Sequence, residues 1–180
     1  PAPEEGPDPI RGTACRATRD ALAVVAAAAA GLAHLHAHGV LHRDVQPSHL
    51  RRYEGVVKLG GFGLCDRRAD RTRNVGPIGA VGTMAPSIVR GHPATRGSDV
   101  YGLGASLHLL ATGSAVHPLR AESLASRICR IGSTDPVVEA TLEPFARELV
   151  VAALTVDGDD RDHVVNPVLD RFTAMSSPPT

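Results

Sequence analysis

A chain of 180 residues is long enough for one domain with its own core and too short for two of ordinary size. Its 19 basic and 19 acidic side chains cancel, so no long-range positive field draws it to nucleic acid or to an anionic membrane surface. The cysteines Cys15, Cys65 and Cys129 are widely spaced and form neither a zinc pattern nor a disulfide framework; no metal is expected, and a reducing, cytoplasmic setting is.

Residues 1–17 open with Pro, Glu, Gly and Asp and are expected to be a flexible lead-in. From Thr18 to His38, Leu22, Val25, Ala29, Leu32 and Leu35 recur at helical spacing and predict one long helix, with Gly39 placed to end it. The apolar stretch Ala21–Leu35 is mostly alanine and glycine and falls short of the roughly 18–20 strongly apolar residues of a membrane span, so no membrane partner is expected. His34 and His38 lie four apart on this helix, but no further ligand follows at metal-binding spacing. Val40–Leu41 and Val56–Leu59 read as brief strands, with Pro47 and Gly55 in the loops between them. The arginine-rich stretch Cys65–Ala80 reads as a long loop, and Ser98–Thr112 as a strong helix ended by Gly113. Shorter helices are predicted over Ala121–Ile131 and Pro136–Val156, followed by a charged turn, Asp157–Asp162. The expected organisation is one mainly α domain with a small β-ribbon over residues 18–172, and a disordered tail over 173–180.

Five segments, in order, carry a resemblance. His42-Arg43-Asp44-Val45-Gln46-Pro47-Ser48-His49 resembles the catalytic loop H-R-D-x-K-P-x-N of protein kinases. Val57-Lys58-Leu59-Gly60-Gly61-Phe62-Gly63 resembles the strand entering the D-F-G motif. Gly82-Thr83-Met84-Ala85-Pro86-Ser87 is similar to the end of the activation segment, shortened by three residues. Ser98-Asp99-Val100-Tyr101-Gly102 resembles the start of the large central helix, and Asp157-Gly158-Asp159-Asp160-Arg161 the D-P-x-x-R turn. Together they are similar to the carboxy-terminal lobe of Hanks-type serine/threonine kinases of bacterial character, with no counterpart of the amino-terminal lobe in the chain as written.

That resemblance implies roles. Asp44 matches the catalytic aspartate that orients the substrate hydroxyl, and Gln46 stands at the position of the loop lysine. His42 and Phe62 match residues stacked in the hydrophobic spine. Arg43 matches the arginine that pairs with an activation-segment phosphate, with Thr72 and Thr83 as candidate phosphosites. Asp99 is expected to tie the central helix to the backbone around Arg43.

The departures lie where the chemistry would be. Gly61 stands at the D-F-G aspartate and offers no carboxylate to magnesium; His49 replaces the asparagine that holds the second ion. Gln46 brings no positive charge to a transferring phosphoryl group. Lys58 is the sole lysine and is already placed beside Gly60 and Gly61, so no strand lysine remains for a nucleotide, nor is a Gly-rich phosphate loop present. Ser87 replaces the glutamate that would bridge to Arg161, leaving Arg161 to another partner or to solvent.

The expectation is a degenerate kinase lobe without phosphotransfer, binding a protein partner or itself through the apolar face an amino-terminal lobe would cover. No cofactor is then expected. The alternative is a portion of an ATP-dependent serine/threonine kinase whose nucleotide-binding lobe lies outside this chain; ATP and magnesium enter only on that reading.

Overall fold

The computed structural model describes residues 8–9, 18–67, 80–118 and 123–176. Among the described residues six α-helices carry the fold: α1 (Thr18–Ala37), α2 (Pro86–Val89), α3 (Arg96–Thr112), α4 (Leu124–Ser133), α5 (Pro144–Thr155) and α6 (Asp162–Thr173). The strands are short: β1 (Asp8–Pro9), β2 (Val40–Leu41), β3 (Leu50–Tyr53), β4 (Val56–Leu59) and β5 (Asp66–Arg67).

Helix α3 is the axis. All but one of its residues from Arg96 to Leu110 are buried, which requires partners on every side. Helix α5 packs on one flank and α1 on another, with α6 closing the bundle. Close approach is possible because α3 carries glycines where neighbours press hardest. A β-carbon on Gly97 would lie 1.9 Å from the carbonyl oxygen of Val156, and one on Gly104 would lie 2.5 Å from Cβ of Ala153. The helix starts in a capping box: Thr95 accepts from the Ser98 amide at 3.1 Å, and the Ser98 hydroxyl accepts from the Thr95 amide at 3.0 Å.

Helix α1 buries Ala21, Val24, Val25, Ala28, Ala29 and Leu32 along one face, with Leu22 and Leu35 partly covered. By length and composition it is apolar enough to cross a membrane, and in this fold that face is spent on α3 and α6. The core is therefore built largely from alanine, valine and leucine.

The two strands read from the sequence, β2 and β4, take separate partners. Val40–Leu41 does not meet Val56–Leu59; it pairs antiparallel with Asp66–Arg67, inside the stretch read as loop. The ribbon is made instead by β3 and β4, Arg51 opposite Lys58 and Tyr53 opposite Val56. Its two-residue turn has positive φ at both Glu54 and Gly55, as tight hairpins require. The edge strand β1 joins β3 from within the segment expected to be a flexible lead-in. At the other end, Ala174–Ser176 forms a 3-10 turn against α1, within the expected disordered tail. The predicted helix over 136–156 begins only at Pro144, which takes the first-turn position where its missing N–H costs nothing.

Candidate functional site

The site is organised from below by Asp99, in the first turn of α3. Its Oδ1 accepts the Arg43 amide at 2.7 Å, its Oδ2 accepts the His42 amide at 2.8 Å, and His36 Nε2 lies 2.9 Å from Oδ2. All this is buried: Asp99 is 2 % exposed and His36 6 %. The grip holds Arg43 at φ +68°, a left-handed conformation that an arginine adopts only under constraint.

His42, fully buried, spans the loop and the strand after it. Its Nε2 donates to the carbonyl of Gly60 at 2.8 Å, while Nδ1 accepts the Asp44 amide at 3.3 Å. Those partners select the neutral tautomer with the proton on Nε2. Phe62 meets His42 edge-on, with ring centroids 5.7 Å apart. Phe62 is not enclosed as a spine residue would be: it is 56 % exposed, and Gly61 and Gly63 beside it have no side chains to cover it.

Arg43 turns its guanidinium to Asp66 on β5, with Nη1 3.0 Å from Oδ2. This pairing had no signal in the sequence, since it depends on β2 and β5 lying side by side. Of the candidate phosphosites, Thr72 lies outside the described residues. Thr83 is 4 % exposed and its hydroxyl donates to the Ala80 carbonyl at 3.4 Å, so a kinase would have to unfold the segment to reach it.

The Asp44 carboxylate is engaged from two sides. Oδ1 accepts the Ala80 amide at 3.2 Å, and Oδ2 lies 3.4 Å from His49 Nδ1. His49 Nδ1 also donates to the Asp44 carbonyl at 2.8 Å, which leaves its lone pair on Nε2. Gln46 precedes the 3-10 turn Pro47–His49, its carbonyl accepting the His49 amide at 3.0 Å. Gly61 faces the His49 ring in a left-handed conformation, φ +81°. Lys58 is on the exposed face of β4, its ammonium 5.5 Å above the Tyr53 ring. This donor set does not fit magnesium, which demands several hard oxygen ligands: here one carboxylate is already bonded, and its neighbours are an imidazole and a glycine. Among the described residues no group of three or more His, Cys, Asp or Glu is arranged to hold a metal ion.

A second polar region lies at the base of the lobe, where the Asp157–Asp162 turn wraps the start of α3. Ser87 donates its hydroxyl to Asp157 Oδ1 at 2.5 Å and its amide to Oδ2 at 2.8 Å. Arg161 is exposed and turns back on Asp159, with Nη2 2.7 Å from Oδ2; that guanidinium holds the Asp159 carboxyl down to about 2. The buried cation of this region is Arg96, bonded to Asp162 and Asn166 and to the carbonyl of Asp160. Sequence reasoning passed over Arg96, although its place just before the strong helical run Ser98–Thr112 was the available signal. Between these groups lies an open cleft of about 550 Å³ bordered by Arg90, His92 and Asp157.

The protein kinase domain family matches residues 10–166. The serine/threonine-protein kinase drp72 of Corynebacterium efficiens is 33 % identical over 141 residues, covering 76 % of this chain and 27 % of that protein. Serine/threonine-protein kinase PknB of Mycolicibacterium smegmatis is 30 % identical over 154 residues, 81 % of this chain and 24 % of the relative. Serine/threonine-protein kinase ste20 of Aspergillus fumigatus is 32 % identical over 157 residues, 83 % and 19 % respectively. The chain spans about a quarter or less of the length of these curated relatives.

Proposed function

This chain belongs to the protein kinase domain family, and on that premise we propose that it is a kinase lobe without phosphotransfer chemistry of its own, serving as a cytoplasmic protein-binding module. The observation that carries this reading is the state of Asp44. Its carboxylate is bonded by the Ala80 amide and faced by the His49 imidazole, where phosphoryl transfer needs metal-bound oxygens and free positive charge. Positioning and electrostatic stabilisation supply nearly all of that reaction's acceleration, so an aspartate without them has little to work with. Because Gln46, His49 and Gly61 lie within the lobe, the reading holds for a longer protein that contains it.

Protein binding is supported by apolar side chains left open beside the site. Phe62 is 56 % exposed, Val56 57 % and Tyr53 47 %, all on the ribbon and the turn that follows it. A second reading, a lobe of an active serine/threonine kinase completed by residues elsewhere, draws on the intact Asp99 grip and on the greater length of the relatives.

Calorimetric titration of the chain with ATP, with and without magnesium, separates the two. The expected result is no saturable heat up to millimolar nucleotide under either condition. Saturable, magnesium-dependent heat would overturn the proposal and restore the kinase reading.

A further inference from the structure

Two positions that look like separate losses are in steric contact. A β-carbon built on Gly61 would lie 2.3 Å from Cγ, 2.4 Å from Nδ1 and 2.6 Å from Cδ2 of His49, all well inside the 3.0 Å that real β-carbons respect. The ring is not the loose end of a flexible side chain. Its Nδ1 donates to the Asp44 carbonyl at 2.8 Å and sits 3.4 Å from Asp44 Oδ2. Its backbone is held as well: the His49 amide donates to Gln46 and its carbonyl accepts the Gly60 amide at 2.8 Å. The imidazole therefore fills the volume that the first carbon of any side chain at position 61 would need.

We propose that His49 and Gly61 form one steric unit, in which the His49 ring plugs the place of a D-F-G carboxylate, ties the catalytic loop together through Asp44 without a cation, and thereby requires glycine at 61. An aspartate returned to position 61 alone has no room, so the metal position is closed by two mutually dependent changes. The proposal concerns the same site as the functional reading but does not rest on nucleotide failing to bind. Its test is read from stability alone, and the calorimetric titration tests the other.

The test is a double-mutant cycle on the full 180-residue chain: Gly61→Ala, His49→Ala and both together, followed by thermal unfolding. In the native background Gly61→Ala meets both the ring and the cost of a left-handed alanine, and the melting temperature is expected to fall by roughly 5–10 °C. With His49→Ala the ring is gone and only the conformational cost remains, so the same substitution is expected to cost roughly 2–4 °C. Equal falls in both backgrounds would overturn the proposal, because the ring would then be moving aside freely. If Gly61→Ala alone does not fold, recovery of folding in the double variant supports the unit and its failure to recover refutes it.

Discussion

Asp99 shows how much of this lobe rests on single side chains. One carboxylate satisfies the buried amide of His42 and the partly buried amide of Arg43 and faces a buried imidazole, and those amides have no secondary-structure partners to fall back on. Asp99→Ala orphans the amides of His42 and Arg43 and removes the partner of His36, and is expected to cost about 3 kcal/mol or more. Urea unfolding should show this as a lower midpoint at unchanged slope. At this scale the sequence was legible wherever a residue's role is set by its local motif. His42, Asp44 and Asp99 were singled out by motifs that resemble those of protein kinases, and hydrogen bonds join all three in the structure. The partners of Arg43 and Ser87 were not legible, because Asp66 and Asp157 reach them through strand pairing and a chain reversal that no local pattern encodes. The contact of Phe62 with His42 was legible but its exposure was not, since its motif says nothing about which surfaces remain to cover it.

Among the elements, α3 was the easiest to read and the most constrained. Its near-complete burial comes from small residues at the crossings: a β-carbon on Gly104 would lie 2.5 Å from Cβ of Ala153 on α5. Gly104→Ala is expected to lower stability by about 1–3 kcal/mol through overpacking, despite the better helix propensity of alanine. Adding Ala153→Gly makes room for the new methyl and should recover part of the loss. Thermal unfolding of the single and double variants measures both, and an additive pair would mean that the helices simply move apart. The boundary errors were of another kind. Apolar residues such as Val137 and Val138 precede α5 and extend its pattern backwards, yet the Val137 amide bonds to the carbonyl of Val116 and holds that stretch as a loop. The valines of β2 and β4 marked those short strands, whereas β1, β3 and β5 consist largely of Asp, Pro and Arg and went unread.

Two buried imidazoles, His108 and His117, contribute a pH dependence to the molecule as a whole. His108 Nδ1 donates to the Ser114 carbonyl at 2.8 Å and its Nε2 accepts the Glu139 amide at 3.0 Å; His117 lies 3.0 Å from the Tyr101 hydroxyl. Burial pushes both histidines below the ordinary 6.5, and burial together with the Asp157 charge pushes the Tyr101 hydroxyl up, so that it stays neutral. The unfolded chain takes up protons at these histidines near 6.5 while the folded one resists, so unfolding becomes proton-consuming below that pH. Stability is therefore unaffected by them above about pH 7 and falls as the pH drops through 6.5 towards the lowered folded values. Asp159, already ionised throughout this range, adds nothing to the slope. The melting temperature should decline between pH 7 and pH 5, and replacing His108 by Gln should flatten the decline even if it lowers the starting value.

The placement of α1 has a consequence for how the chain is made. Its apolar face is finished by α6, which leaves the ribosome about 120 residues later. At roughly 5–20 residues per second, that is a wait of about 6–25 s. During it, the fourteen alanines, valines and leucines of this twenty-residue helix have β4 and then α3 to pack on, and anything else nearby until those emerge. An apolar face left open for that long is a surface on which a chaperone can act before the lobe is finished.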